Sequence, residues 1–172
     1  SVLVMGAKEL GATVAVCGGN PLTTQDHIAA FIASQGINIY AWNDQTVKEY
    51  DWCIEQVLKH KPTLICDDGA DMNVKVHFDK KFKSLNVLGS TEETTAGVTR
   101  VRAMEKQGKL KYPVVIVNDA DTKHLFDNRY GTGQSTIDGY LRAMGLLFTS
   151  KRIVVVGYVW VGRGFAESSC GW

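Results

Sequence analysis

Residues 114–147 read VVIVNDADTKHLFDNRYGTGQSTIDGYLRAMGLL, an apolar run followed at once by a dense polar segment. Val114 to Val117 has the β-branched composition of a strand buried in a parallel sheet, and polarity returns abruptly at Asn118 and Asp119. Lys123 and Asp127 stand at i, i+4, so in a helix an ammonium and a carboxylate share one face, either as a solvated pair or as half of an acid/base site. Further on, Ser135 and Asp138 have S-x-x-D capping spacing ahead of Ile137, Leu141, Met144 and Phe148, one apolar face of a helix.

Working outward, the same strand-then-helix rhythm recurs. Residues 1 to about 10 lean to a helix closed by Gly11. Thr13 to Cys17 is a short strand, and GGNPLTTQD opens a helix with Thr23 or Thr24 as its cap, Asp26 in its first turn, and Gly36 after it. Ile37 to Trp42 is the next strand. Thr46 and Glu49 form a capping box for a helix facing Val47, Tyr50, Ile54, Val57 and Leu58 inward and stopping at Pro62. Thr63 to Cys66 is the third strand and runs into the acidic turn DDGAD, with Val74 to Phe78 in the helix that follows. Leu85 to Leu88 is expected as the fourth strand, and Glu92 and Glu93 as the start of a helix carrying Val98, Val101 and Met104. Ile153 to Val156 is expected as a final strand before GYVWVGRG. Alternation at this spacing predicts the α/β class, a parallel sheet with helices on both faces.

Length, charge and cysteines narrow the function. At 172 residues the chain suits one sizeable core, and 45% hydrophobic with 22% charged residues is a globular composition. Nineteen basic against eighteen acidic residues leave +1, with no basic run to mark a nucleic-acid face. The opening SVLVM is too short for a membrane span or a signal sequence, and Cys17, Cys53, Cys66 and Cys170 have no C-x-x-C spacing, which points to reduced thiols and a cytoplasmic protein. His27, His60, His77 and His124 have no metal-ligand spacing, so no metal is expected.

Open α/β sheets bind ligands beyond the carboxyl ends of their strands. Asp67 and Asp68 follow the third strand, Glu92 to Thr95 the fourth and Asn118 to Asp127 the fifth, so three polar clusters are expected on one rim. Each alone also reads as a turn residue, a helix-dipole partner or a surface pair.

The phrases NPLTTQDHIAA, YAWN, EYDWCIEQVLKHKP, DDGAD, STEETTAGV and NDADTKHLFDNRYGTGQSTIDG occur in this order between about Gly11 and Gly164. In order and spacing they resemble the S-adenosyl-L-homocysteine hydrolase family. The resemblance implies a Rossmann-like substrate-binding domain over residues 1–150 and, over 151–172, the first strand and glycine-rich loop of an NAD-binding domain. It implies reversible cleavage of S-adenosylhomocysteine to adenosine and homocysteine, through NAD-dependent oxidation of the ribose 3′-hydroxyl, elimination and water addition. Asp68, Glu93, Lys123 and Asp127 match the family's substrate-binding and catalytic positions, with Asn118 beside the reacting ribose. Thr94, Thr95, Asn128, Gly157 and Gly162 match cofactor-binding positions. A homo-oligomer is implied for the intact protein. The chemistry suits these types, because a buried lysine can exchange a proton with a ribose hydroxyl while carboxylates accept bonds from its neighbours.

Two departures qualify the resemblance. Val159 stands where a G-x-G-x-x-G loop would have its middle glycine, and a branched side chain obstructs approach of a pyrophosphate. The chain also contains only the beginning of the implied cofactor domain, so the isolated chain is expected to be inactive. The alternatives are a non-catalytic nucleoside-binding or oligomerisation module, and another NAD-dependent dehydrogenase suggested by the glycine loop alone.

Overall fold

The computed structural model describes residues 2–170. The elements alternate as expected: α1 (Val2–Glu9), β1 (Ala15–Cys17), α2 (Asp26–Ser34), β2 (Asn38–Tyr40), α3 (Val47–Lys59), β3 (Leu64–Asp67), α4 (Asp71–Phe78), β4 (Gly89–Glu92), α5 (Thr95–Lys106) and β5 (Val114–Ile116). All pairing is parallel, with β1 beside β2 in one sheet and β3-β4-β5 in a second, which makes the fold an α/β one. The chain forms two compact units that divide between Ile116 and Val117, and the expected boundary at Ser150 and Lys151 lies inside the second.

In the first unit the core gathers Ile54 and Leu58 from α3, Ile65 from β3, Val76 from α4, and Phe82, Val87 and Tyr112 from connecting segments. Burial of such side chains contributes on the order of 1.5–3 kcal/mol each. The α3 capping box forms as its sequence predicts: Glu49 N–H donates to Thr46 Oγ1, and Thr46 N–H donates to Glu49 Oε2 at 2.8 Å. Val47, however, is exposed, because as the first helical residue it precedes the buried stripe of Cys53, Ile54, Val57 and Leu58.

Several expectations are corrected. α2 begins at Asp26 with Gln25 at the cap position and no side-chain cap bond; Thr24 instead lies against Gly18. The fourth strand is Gly89–Glu92 rather than Leu85–Leu88. Leu85 and Val87 pack onto the core from a loop, whereas Ser90 and Glu92 point inward from the strand into a buried polar network. An apolar run therefore misleads here, because the inward face of β4 is polar. Glu92 consequently ends a strand instead of starting a helix, and α5 starts at Thr95 behind a Thr94 cap.

The second unit is helical. A 3-10 turn (Val117–Asp119) leads to α6 (Asp121–Lys123), a π-helical segment (His124–Thr132), α7 (Gly133–Met144) and α8 (Trp160–Ser169). Ser135 does not cap α7, since the π segment feeds that helix without a non-helical residue between them; its hydroxyl donates to the Thr132 carbonyl and Asp138 pairs with Arg142. Ile137 is buried on α7 while Met144 is exposed. Ile153 to Val156 forms no ladder with any described strand, and Val154 and Val156 are exposed. β-branched composition favours extended backbone but cannot supply the partner that makes a strand.

Candidate active site

The acidic doublets of the first unit divide their labour by strand alternation. Asp67 and Glu92, paired in register at the carboxyl ends of β3 and β4, both point inward and are buried. Asp68 and Glu93, one residue later, are exposed and half-buried respectively. The Glu93 N–H donates to the Asp67 carbonyl at 3.1 Å, which ties the two turns together through the backbone.

Asp68 stands beside Gly19, where an added methyl would come within 2.9 Å of Asp68 Oδ2. A cavity of about 150 Å³ opens here, lined by Gly18, Gly19, Tyr50, Asp67, Asp68 and Asp71 among others. It adjoins a wider groove of about 440 Å³ at the start of α2, lined in part by Thr23, Thr24, Gln25 and Ile28 and sharing Cys17, Gly18 and Gly19 with the first. Tyr50 Oη lies 3.1 Å from both the Gly19 carbonyl and Asp71 Oδ2. Burial, then the Asp71 charge, push its phenol above the ordinary range. Burial pushes the Cys17 thiol up to about 12, which makes it a packing group rather than a nucleophile.

Asp67 is the perturbed acid. Burial first, and the neighbouring Glu92 charge, raise its carboxyl to about 6, against the pull of backbone hydrogen bonds led by that from Asn73. Its Oδ2 accepts from the Asn73 amide at 2.8 Å and from Asn73 Nδ2 at 2.9 Å. Asn73 Oδ1 in turn accepts from Ser90 Oγ and Tyr112 Oη, both at 2.9 Å. None of these partners had a distinguishing signal in the sequence except the doubled acids, whose first members read there as turn and helix-end residues.

In the second unit Lys123 collects three oxygens. Its Nζ lies 2.8 Å from Asn128 Oδ1, 3.1 Å from Asn118 Oδ1 and 3.4 Å from Asp127 Oδ1. The lysine side chain is 15% exposed and that of Asp127 63%. The Lys123–Asp127 pair matches its i, i+4 spacing in the sequence, and the π winding adds Asn128 to it while Asn118 joins from the 3-10 turn. A π turn holds more residues than an α turn, so positions i+4 and i+5 straddle the lysine and both Asp127 and Asn128 reach it.

The cofactor-type positions behave differently. The Thr94 hydroxyl caps α5, accepting from Gly97 N–H and donating to Glu92 Oε1, while Thr95 is exposed in the first turn. Gly157 takes a left-handed φ of +95°, and a methyl on Gly162 would overlap the Gly157 carbonyl, so these two glycines form the tight turn a dinucleotide loop needs. Val159, at the cap position of α8, puts a branched and exposed side chain at the helix N-terminus, where a pyrophosphate would otherwise be received. The turn fits the cofactor at its two glycines and narrows at Val159. Among the described residues no three His, Cys, Asp or Glu side chains gather as a metal site. The four cysteines are free thiols, and no helix among the described residues is long and apolar enough to cross a membrane.

The chain as a whole has relatives among known proteins. The S-adenosyl-L-homocysteine hydrolase family model matches residues 1–88 and 73–161. The chain is 53% identical to the adenosylhomocysteinase of Sulfurisphaera tokodaii over 97% of its own length and 40% of that protein's. It is 51% identical to the S-inosyl-L-homocysteine hydrolase of Methanocaldococcus jannaschii, over 99% of this chain and 41% of the relative, and 51% identical to the adenosylhomocysteinase of Aeropyrum pernix, over 96% and 40%. The chain thus spans about 40% of the length of these curated relatives. With the family match covering most of the described residues, the chain belongs to the S-adenosyl-L-homocysteine hydrolase family.

Proposed function

We propose that this chain carries the substrate-side acid/base residues of a hydrolase that cleaves S-adenosyl-L-homocysteine reversibly to adenosine and homocysteine. The single observation that carries the reading is Lys123, a mostly buried amine held by Asn118, Asn128 and Asp127. An ammonium has three N–H donors, and here two bond the asparagine oxygens while Asp127 Oδ1 stands by as an ion-pair partner at 3.4 Å. A neutral amine has two donors and a lone pair, so one oxygen must give way to a substrate hydroxyl. Asp127, at the longest distance and mostly exposed, is the partner a ribose 3′-hydroxyl would replace. Lys123 then takes that hydroxyl's proton, and the two asparagine oxygens keep the amine aimed. Asp68 and Glu93, less buried than their inward neighbours, are suited to accept hydrogen bonds from ribose hydroxyls.

NAD supplies, when bound, removal of hydride from the 3′ carbon and its later return. Thr95, Asn128, Gly157 and Gly162 are the residues proposed to hold it, with Thr94 contributing through the shape of the α5 start. The free thiols support a cytoplasmic setting. Because the relatives carry two names, one adenosyl and one inosyl, the test uses both substrates. Release of adenosine or inosine from the corresponding thioether, with NAD present, is followed for the protein carrying this chain and for its Lys123→Met variant. Turnover of S-adenosylhomocysteine that depends on Lys123 supports the reading. Turnover of the inosyl compound alone shifts the substrate, and none on either favours a non-catalytic nucleoside-binding module.

A further inference from the structure

We infer that Glu92 is a positioning residue, which clamps the turn bearing Asp68 to the turn bearing Glu93. Its side chain is 0% exposed, and one oxygen, Oε1, accepts from three donors: the Gly69 amide at 2.9 Å, the Thr94 amide at 3.0 Å and Thr94 Oγ1 at 2.9 Å. The first donor belongs to the turn after β3 and the other two to the turn after β4. One buried carboxylate oxygen therefore bridges both turns at the positions flanking Asp68 and Glu93.

The turn after β3 needs such a hold. Gly69 and Ala70 both take left-handed backbone, with φ of +109° and +63°, and the second is a non-glycine residue that pays for that conformation in strain. Gly69 is gripped from its other side as well, since Arg100 of α5 donates to its carbonyl and to Asp71 Oδ1, both at 2.6 Å. Asp67 fixes the preceding amide, accepting from Asp68 N–H at 3.1 Å. Space for the carboxylate is built in: a methyl on Gly97, in the first turn of α5, would overlap it. The second oxygen, Oε2, has no hydrogen-bond partner and is shut away from solvent, so the group serves geometry at a cost in stability.

Amide hydrogen exchange tests the clamp directly, and an adenosine titration tests its bearing on the ligand, which rests on the substrate-side reading above. Glu92→Ala and the shortened Glu92→Asp are expected to lose about tenfold or more in protection at the Gly69 and Thr94 amides beyond any change at Val57 in the core helix; Glu92→Gln, which keeps an oxygen at the Oε1 position, stays within about threefold. Should the alanine variant fail to fold, the Asp and Gln variants decide alone. Loss of protection spread evenly over the first unit, or unchanged protection at Gly69 and Thr94, overturns the clamp. If the amides respond as expected but wild-type protein binds no adenosine, the clamp stands and the substrate reading fails. If wild type binds and Glu92→Ala binds equally well despite loosened turns, Glu92 does not position the ligand-binding acids.

Discussion

Lys123 donates from Nζ to the side-chain oxygen of Asn128, 2.8 Å away and five residues further along the chain. That spacing is a property of the π-helical segment, and it converts an ordinary i, i+4 ion pair with Asp127 into a three-oxygen cradle. If the cradle aims the amine, Asn128→Ala should lower kcat for thioether cleavage by about a hundredfold, with Asp127→Asn costing less. A comparable rise in KM with kcat unchanged would show that these residues only bind.

Gly97→Ala should destabilise the first unit by about 1–3 kcal/mol, because the added methyl meets the buried Glu92 carboxylate, which has no room to withdraw. Gly139, in α7 with nothing near its absent Cβ, is the contrast: Gly139→Ala should stabilise by up to about 1 kcal/mol through helix propensity. Denaturant midpoints measure both.

Gly164→Ala should loosen the second unit, since its methyl would overlap the Arg129 carbonyl, a backbone atom in the π segment. The bidentate contact between Arg129 and Glu167, at 2.9 and 3.0 Å, spans the same two elements and would be lost with it. Loss of amide protection across α8 is the readout, and undisturbed protection would contradict the packing described.

Two buried groups give opposite pH slopes in weak acid. Asp67 has its folded pKa raised to about 6, so its contribution is fully present below about 4 and is lost as pH rises through 6, a swing of about 2–3 kcal/mol. His77, lowered chiefly by burial, lies with Nδ1 2.6 Å from the Asn73 carbonyl while Nε2 accepts from Lys111 N–H at 3.0 Å. Its contribution is present above its ordinary value near 6.5 and is lost as pH falls below it. Thermal melts from pH 4 to 8 should therefore rise more steeply with pH in Asp67→Asn than in wild type, and a parallel profile would remove the shift assigned to Asp67.

Val159→Gly should tighten NAD binding several-fold, by opening the helix N-terminus to the pyrophosphate. Fluorescence or calorimetric titration with NAD reads it, and unchanged affinity would show that the branched side chain does not obstruct.

The α/β class and most helices were legible because amphipathic stripes and caps are local: Thr46 and Glu49 form the box their spacing predicts. β4 was not, because Gly89–Glu92 is polar and its position is set by pairing with β3, with Glu92 opposite Asp67. The Lys123–Asp127 pair was legible from its i, i+4 spacing, yet the contact of Lys123 with Asn128 is closed by a π winding that has no local signature in the residues, and Asn118 joins from the 3-10 turn. Glu92 was hidden by its neighbour. In the EE doublet the outward residue carries the family resemblance, and only strand alternation shows that the inward one bridges two turns.

The most direct test is the adenosine released from S-adenosylhomocysteine, with NAD present, by the protein carrying this chain and by its Lys123→Met variant of equal thermal stability. A loss of about a thousandfold in kcat is expected, the scale on which a positioned proton-transfer group acts. A variant that keeps wild-type kcat would show that Lys123 and its three oxygens are architecture and not the seat of the chemistry.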